Sequence, residues 1–339
     1  MSTNGLGNGQ CELCGSRHLK HLLDGQDRLH GTPGIFPVVQ CQECSLAFLH
    51  PQPSLKDIPG FYPKFYYAYV DEVQPKQSFF KRLELQFRER KKAEILTTYY
   101  HYPRRFPKNI FYSFVTAVSH HVNDVPDYIA DGVLLDIGCG KGAYLQEMEK
   151  LGWKTLGVEF SDSGVQAARQ AGLDVMHGSI EDADFRSGCI DYARMADVLE
   201  HLPNPLETMT EVHRILKPGG MIQISLPNIH SFTFWLFGQY WFPLEIPRHL
   251  FFYSPKSLRL LASTIGFDIK TMKVWSHKEV DVIFSIEYWL HAKHPHLEKF
   301  FQNKLFRKLI RKALYPAKAI ATFFGYGSAI TILMRKKIT

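Results

Sequence analysis

The chain of 339 residues has no uninterrupted apolar stretch of about 18 residues, the length a helix needs to cross a bilayer. It opens without a basic flank and apolar run, so no secretory leader is expected. Cysteine is scarce, at six residues, which argues against a secreted scaffold held by disulfides and points to a reducing cytoplasm. Acid is nearly missing from one region. Residues 292–339 hold eleven lysines and arginines and one acid, Glu298. That stretch carries +10 in a chain whose total is +7, so residues 1–291 sum to −3 and the basic balance belongs to the tail alone. With 45% hydrophobic and 22% charged residues, the composition is that of an ordinary globular chain, and the length suits one full domain with substantial additions.

Against these absences stands a glycine-rich turn. A strand-like run, Val133-Leu134-Leu135, ends at Asp136, and glycines follow at 138, 140 and 142 before a helix-like segment, Tyr144 to Glu149. Glycine is needed where the backbone turns sharply and a ligand touches it, and the N–H groups of the next helix point at whatever sits in the turn. Gly138, Gly140 and Ala143 satisfy the relaxed dinucleotide fingerprint. Strand-like Thr155 to Val158 ends in Glu159, 21 residues after Gly138, where a carboxylate can accept hydrogen bonds from ribose hydroxyls of either a dinucleotide or another nucleoside cofactor.

Asp136 and Gly142 extend the turn to D-x-G-x-G, which resembles motif I of the class I S-adenosylmethionine (SAM) methyltransferases. The segments beyond Glu159 keep the order of that family. A third strand at 174–177, the loop Gly178-Ser179-Ile180-Glu181 and a fourth strand at 190–194 lead into VLEHLPNP, then HRILKPGG, then a strand, 221–228, ending LPN. The resemblance implies an α/β fold with a Rossmann-like seven-stranded sheet closed by an antiparallel strand. The cofactor would be SAM, held by Asp136, Gly138, Cys139, Gly140, Glu159, Ser179, Ile180 and Met195.

Near the N-terminus, Cys11-x2-Cys14 and Cys41-x2-Cys44 lie 26 residues apart. Each pair can wrap one side of a tetrahedral Zn2+, and four thiolates make a closed structural site. Gly15 eases the turn after the first pair. The runs CELCGS, FPVVQCQECSLAFLHPQPS and FYPKFYY resemble the zinc-binding head of bacterial methyltransferases of cell-surface polysaccharide and nucleotide-sugar pathways. Sugar C-methyltransferases share such a head with a longer gap between cysteine pairs. The expected organisation is a zinc-ribbon-like module over 1–70, a helical linker over 71–131 containing a basic amphipathic helix at 78–100, and a SAM domain over 132–339 with a helical insertion at about 276–324.

That insertion is helical by its period. Leu305-Phe306, Leu309-Ile310 and Ala313-Leu314 alternate with Arg307-Lys308 and Arg311-Lys312, which predicts one apolar and one cationic face. Residues 298–324 are therefore expected either to lie in an anionic membrane surface or to pack on the domain with the bases solvated.

Residues 229–254 contain ten Phe, Trp or Tyr and follow the carboxyl end of a strand, the side that faces ligand in open α/β sheets, so they are expected to wall the acceptor site. A hydroxyl acceptor benefits from a base near neutral pH, and His249 in PRHL is the leading choice, with His201 the other. The expected activity is methyl transfer from SAM to a small-molecule, sugar, glycan or lipid-linked acceptor in envelope polysaccharide synthesis. Two other classes fit part of the sequence. An RNA methyltransferase would use the zinc module and basic tail, although Asp24 and Asp27 offset Arg17, Lys20 and Arg28 there. A noncatalytic SAM-fold scaffold would have no reason to keep Asp136, Gly138, Gly140 and Glu159 together.

Overall fold

A computed structural model of the chain describes residues 9–62, 79–118, 125–276, 280–297, 301 and 303–338. The end of the expected head at 63–70, the start of the linker at 71–78 and the stretch 298–300 of the insertion lie outside them. Two compact units are present: Tyr67–Ala183 with Cys189–Ala193, and Met1–Tyr66 with Asp184–Gly188 and Arg194–Thr339.

The first unit carries helices α1 (Phe79–Tyr99) and α2 (Ile110–Val118), then β4 (Val133–Ile137), α3 (Ala143–Lys150), β5 (Lys154–Glu159), α4 (Asp162–Gln170) and β6 (Val175–His177). Strands β4, β5 and β6 pair in parallel. Leu134 and Leu135 are fully buried in β4, as a strand covered on both faces requires. Helix α4 is held at its start by Ser161, whose hydroxyl accepts from the Gly164 N–H, and it buries Val165 and Ala168 one turn apart. Along α1 the expected separation into faces is weak. Leu83, Leu85 and Phe87 are exposed, and burial is confined to Glu94, Ile95 and Leu96 near its end. Glu94 is partnered there by Arg104 at 3.0 Å and the Ser113 hydroxyl at 3.0 Å.

The second unit begins with β1 (Leu19–Gly25), β2 (Phe36–Cys41) and β3 (Ala47–Leu49). It continues with α5 (Pro205–Ile215), β8 (Leu216–Pro227), α6 (Phe232–Phe237), β9 (Phe251–Phe252), α7 (Pro255–Ile265), β10 (Phe267–Trp275), α8 (Val280–Lys293), α9 (Lys304–Phe323) and β11 (Ala329–Lys336). Strand β7 (Ile190–Ala196) begins in the first unit and ends in the second. The order of the larger sheet is β10-β11-β8-β7-β4-β5-β6. The seven strands and the antiparallel position of β11 between β10 and β8 agree with the expected fold. One boundary differs: β8 starts at Leu216 rather than 221 and runs through Gly219, which takes φ 79. Lys336 on β11 donates to the carbonyls of Leu216 (2.8 Å) and Arg214 (3.4 Å), which holds that extra length extended.

The smaller sheet has the order β1-β2-β3-β9. Its fourth strand comes from the aromatic segment, with Ala47 opposite Phe252 and Phe48 opposite Phe251. Strand β3, which begins three residues after Cys44, therefore shares hydrogen bonds with residues just beyond His249.

Helix α9 departs from one of the two sequence alternatives, that its apolar face packs on the domain and its bases are solvated. Leu305, Leu309, Ile320 and Phe323 are all more than half exposed. Lys308 and Lys312 share that exposed side, while Arg307, Arg311 and Lys318 are half-buried. The acids of α8 decide this orientation. Asp281 takes Lys318 at 3.4 Å and Glu287 takes Arg307, so several bases turn inward and the apolar residues outward. Ile310 packs against Ile283, Leu290 and Phe301.

Candidate functional site

In the first unit the turn after β4 is built as a cradle. Gly138, Gly140 and Gly142 have φ of 73, 53 and 78, a region costly for any residue with a Cβ. The Gly138 and Cys139 N–H groups donate to the Val158 carbonyl at 2.8 and 3.2 Å, which ties the turn to β5. Glu159, 6% exposed, closes it from the other side. One carboxylate oxygen accepts from the Gly140 N–H and the other from the Ser161 N–H, both at 2.8 Å. A Cβ at Gly140 would meet nothing within 4 Å, so space beside that residue is open. Asp136 is buried just before the turn. Two buried acids around an open glycine turn fit a cofactor with an ammonium group and ribose hydroxyls.

The remaining expected cofactor residues divide by what they can offer. Cys139 directs its sulfur inward, because a Cβ on Gly157 would come within 2.8 Å of it. Burial, with Asp136 and Glu159 adding, pushes its thiol up to about 12, so its backbone is what it presents to the turn. Ser179 gives its hydroxyl to Asp182 at 2.8 Å, Ile180 is buried beside it, and Met195 in β7 is fully buried.

In the second unit the four expected cysteines converge. Their sulfurs lie within 4.8 Å of one another. Cys11 and Cys44 are 3.5 Å apart, as are Cys14 and Cys41, so each close contact joins one residue from either pair. Two matching turns set this up: the Gly15 N–H donates to the Cys11 carbonyl at 2.7 Å and the Ser45 N–H to the Cys41 carbonyl at 2.9 Å. Gly15 (φ 71) and Ser45 (φ 64) share the left-handed conformation. The spacing is close to the roughly 3.8 Å between thiolates around a tetrahedral zinc with 2.3 Å bonds.

The same unit brings His201 and His249 together with their ring centroids 4.4 Å apart, edge to face. His249 Nδ1 lies 2.9 Å from the Pro243 carbonyl. His201 Nδ1 lies 3.1 Å from the Arg248 carbonyl and 3.1 Å from the Tyr62 hydroxyl. Burial lowers both imidazoles, His201 more than His249, with the neighbouring His249 adding to the effect on His201 and Glu245 opposing it on His249. Both rings are neutral near pH 7. Glu200 completes the group at 2% exposure, its carboxyl pushed up by burial and by Asp197. Asp197 (φ 54) and Glu245 (φ 39) sit in left-handed backbone, a strain that concentrates at functional sites. Glu245 accepts from Arg248 Nε at 3.2 Å and faces His249 Nε2 at 3.9 Å.

Glu200, Tyr62 and Asp27 were not among the expected site residues. Glu200 could have been found by its place beside His201 in LEHL, whereas nothing in the sequence joins Tyr62 or Asp27 to residues near 248. The aromatic segment is largely buried: Trp241, Phe251, Phe252 and Tyr253 are core, while Trp235 on α6 is 78% exposed.

A sequence profile for a methyltransferase domain matches residues 100–271. The chain is 26% identical over 179 residues to a ubiquinone biosynthesis O-methyltransferase of Aromatoleum aromaticum, covering 47% of this chain and 76% of that protein. It is 31% identical over 147 residues to the protein of the same name from Cereibacter sphaeroides, covering 40% of this chain and 60% of that one. A SAM-dependent methyltransferase structure from Archaeoglobus fulgidus aligns with a TM-score of 0.43 at 17% identity, covering 76% of this chain and all of that one.

Proposed function

Because this chain belongs to the methyltransferase-domain family and is a SAM-dependent enzyme, we propose that it methylates an oxygen of a lipid-linked glycan or related small acceptor in cell-envelope polysaccharide synthesis. The observation that carries the lipid-linked acceptor is the outward face of α9, where Leu305, Leu309, Ile320 and Phe323 stand beside Lys308 and Lys312. Apolar side chains of that kind enter the headgroup boundary of an anionic bilayer, and each base near the surface adds about 1 kcal/mol. No helix among the described residues is long and apolar enough to cross a membrane. The contact proposed is peripheral, at the cytoplasmic face. Oxygen as the methylated atom is supported by the O-methyltransferase names of the relatives.

Asp136 and Glu159 would hold the cofactor's ammonium and ribose beside the open space at Gly140. When bound, SAM supplies an electrophilic methyl on a sulfonium, whose S–C bond electrons stay with sulfur as the O–C bond forms. A neutral His249 accepts the hydroxyl proton as oxygen becomes the nucleophile, with His201 beside it. Glu245 facing His249 favours the imidazolium that results. Cys11, Cys14, Cys41 and Cys44 would hold a structural zinc, which would fix the head.

The test is methyl transfer from labelled SAM into a bacterial extract divided into nucleotide-sugar, lipid and RNA fractions. Label in the lipid fraction is the expected outcome. Label confined to RNA and lost on nuclease treatment overturns the reading and makes the basic tail a phosphate grip.

A further inference from the structure

Glu200 is 2% exposed, and neither of its carboxylate oxygens has a hydrogen-bond partner among the described residues. A buried carboxyl without partners is among the most costly arrangements a protein can hold, and protonation would relieve the charge while leaving a new donor unmet. Ligand-capable atoms of Glu200, His201 and His249 lie within 4.8 Å of one another. The two imidazoles are already oriented. Each Nδ1 faces a main-chain carbonyl, of Arg248 for His201 and of Pro243 for His249. A carbonyl only accepts, so a proton on Nδ1 satisfies both carbonyls, with the Tyr62 hydroxyl a further partner of His201 Nδ1, and leaves a lone pair on each Nε2. A carbonyl behind Nδ1 is the arrangement that fixes a metal-binding histidine's tautomer and raises its basicity.

We propose that Glu200, His201 and His249 form a second metal site, taking a divalent cation such as Zn2+ or Mn2+ through one carboxylate and two imidazole nitrogens. Three protein ligands of this kind leave coordination positions open, unlike the closed set of four cysteines. An acceptor hydroxyl could occupy an open position, where a cation lowers its pKa and lets its proton leave to water. This deepens the acceptor chemistry proposed above and rests on it only for the ion's role. His249 would then act as a ligand, with the cation in place of an imidazole base.

The test uses the full-length chain, stripped with a chelator, reloaded with one equivalent of Zn2+ for the cysteines and then titrated with Mn2+. One tightly bound Mn2+ per chain is expected, with nitrogen couplings from two imidazoles in its pulsed EPR spectrum. Glu200→Gln and His249→Ala should each weaken Mn2+ by about 100-fold. In a cobalt-loaded parallel sample both variants should keep the thiolate-to-cobalt absorption of the cysteine site, which reports that the unit is folded. Wild-type protein that binds no Mn2+, or binds it without nitrogen couplings, overturns the site irrespective of any variant. Methyl transfer measured on the same samples separates the two readings. Full transfer without bound Mn2+ overturns the site and leaves the methyltransferase reading standing. Bound, nitrogen-coupled Mn2+ without transfer to any hydroxyl supports the site and overturns the acceptor chemistry.

Discussion

Arg248 places its two terminal nitrogens on the two carboxylate oxygens of Asp27, at 3.0 and 2.9 Å, across 221 residues of sequence, and neither side chain is exposed. Asp27 also accepts from the Thr32 hydroxyl and three backbone N–H groups, and Arg248 donates to the Phe61 carbonyl. The pair anchors the head to the residue preceding His249.

Removing one partner leaves a buried charge uncompensated. Asp27→Asn should lower unfolding stability by about 3–5 kcal/mol at pH 7. Burial pushes the Asp27 carboxyl up, but the hydrogen bonds from Arg248 and Thr32 outweigh it and hold the group well below its ordinary value. Its contribution is therefore present above the unfolded pKa of about 4 and fades as pH falls toward the folded value. Denaturant unfolding from pH 7 to pH 2 should show a steep acid loss in the wild type and a shallower one in Asp27→Asn. Parallel curves would remove the pair from the acid response.

Glu159 accepts from two backbone N–H groups, of Gly140 and Ser161, so its loss both loosens the turn and removes the proposed ribose acceptor. Glu159→Ala should weaken SAM by about 10- to 100-fold in calorimetry, from the 1.5–3 kcal/mol typical of hydrogen bonds to a charged group. Affinity within a factor of about two of wild type would exclude this role.

The cysteine cluster should carry one zinc per chain by elemental analysis. Its removal with a chelator should lower the melting temperature, and Cys14→Ser should shed zinc faster than the wild type. Protein grown with zinc but purified without it would show that the sulfurs serve another purpose.

Membrane contact by α9 can be read by sedimentation with anionic vesicles at low salt. Lys308→Ala combined with Lys312→Ala should weaken binding by about 30-fold, from about 1 kcal/mol per base. A wild-type protein that stays in the supernatant rules the contact out.

His249→Ala should lower kcat by about 100-fold or more while SAM affinity stays unchanged. Equal turnover in the two proteins would take His249 out of the chemistry.

The parts legible in the sequence are those where one residue type is physically required. Glycines at three left-handed positions, acids at the ends of β4 and β5, and paired cysteines announce themselves. Periodicity was enough to make α9 a helix, but it defines two faces without saying which turns inward. Asp281 and Glu287 on α8 settle that, and nothing local links them to Lys318 or Arg307. Strand β9 is only two residues long and lies in a segment whose aromatics read as an acceptor wall, so its pairing with β3 left no pattern. Ser45 matches Gly15 in conformation, yet serine does not advertise a left-handed turn.

The smaller sheet also has a consequence for synthesis. Ala47 pairs with Phe252, so β3 leaves the ribosome 205 residues ahead of its neighbour. At about 5–20 residues per second, that interval is roughly 10–40 s. Throughout it β3 presents an open edge and Asp27 lacks its arginine, an aggregation hazard that a nascent chain must survive. The four clustered cysteines, in contrast, are all made by residue 44 and can gather early. The head would thus acquire its local order during translation and its final strand and buried ion pair only after residue 252 has emerged.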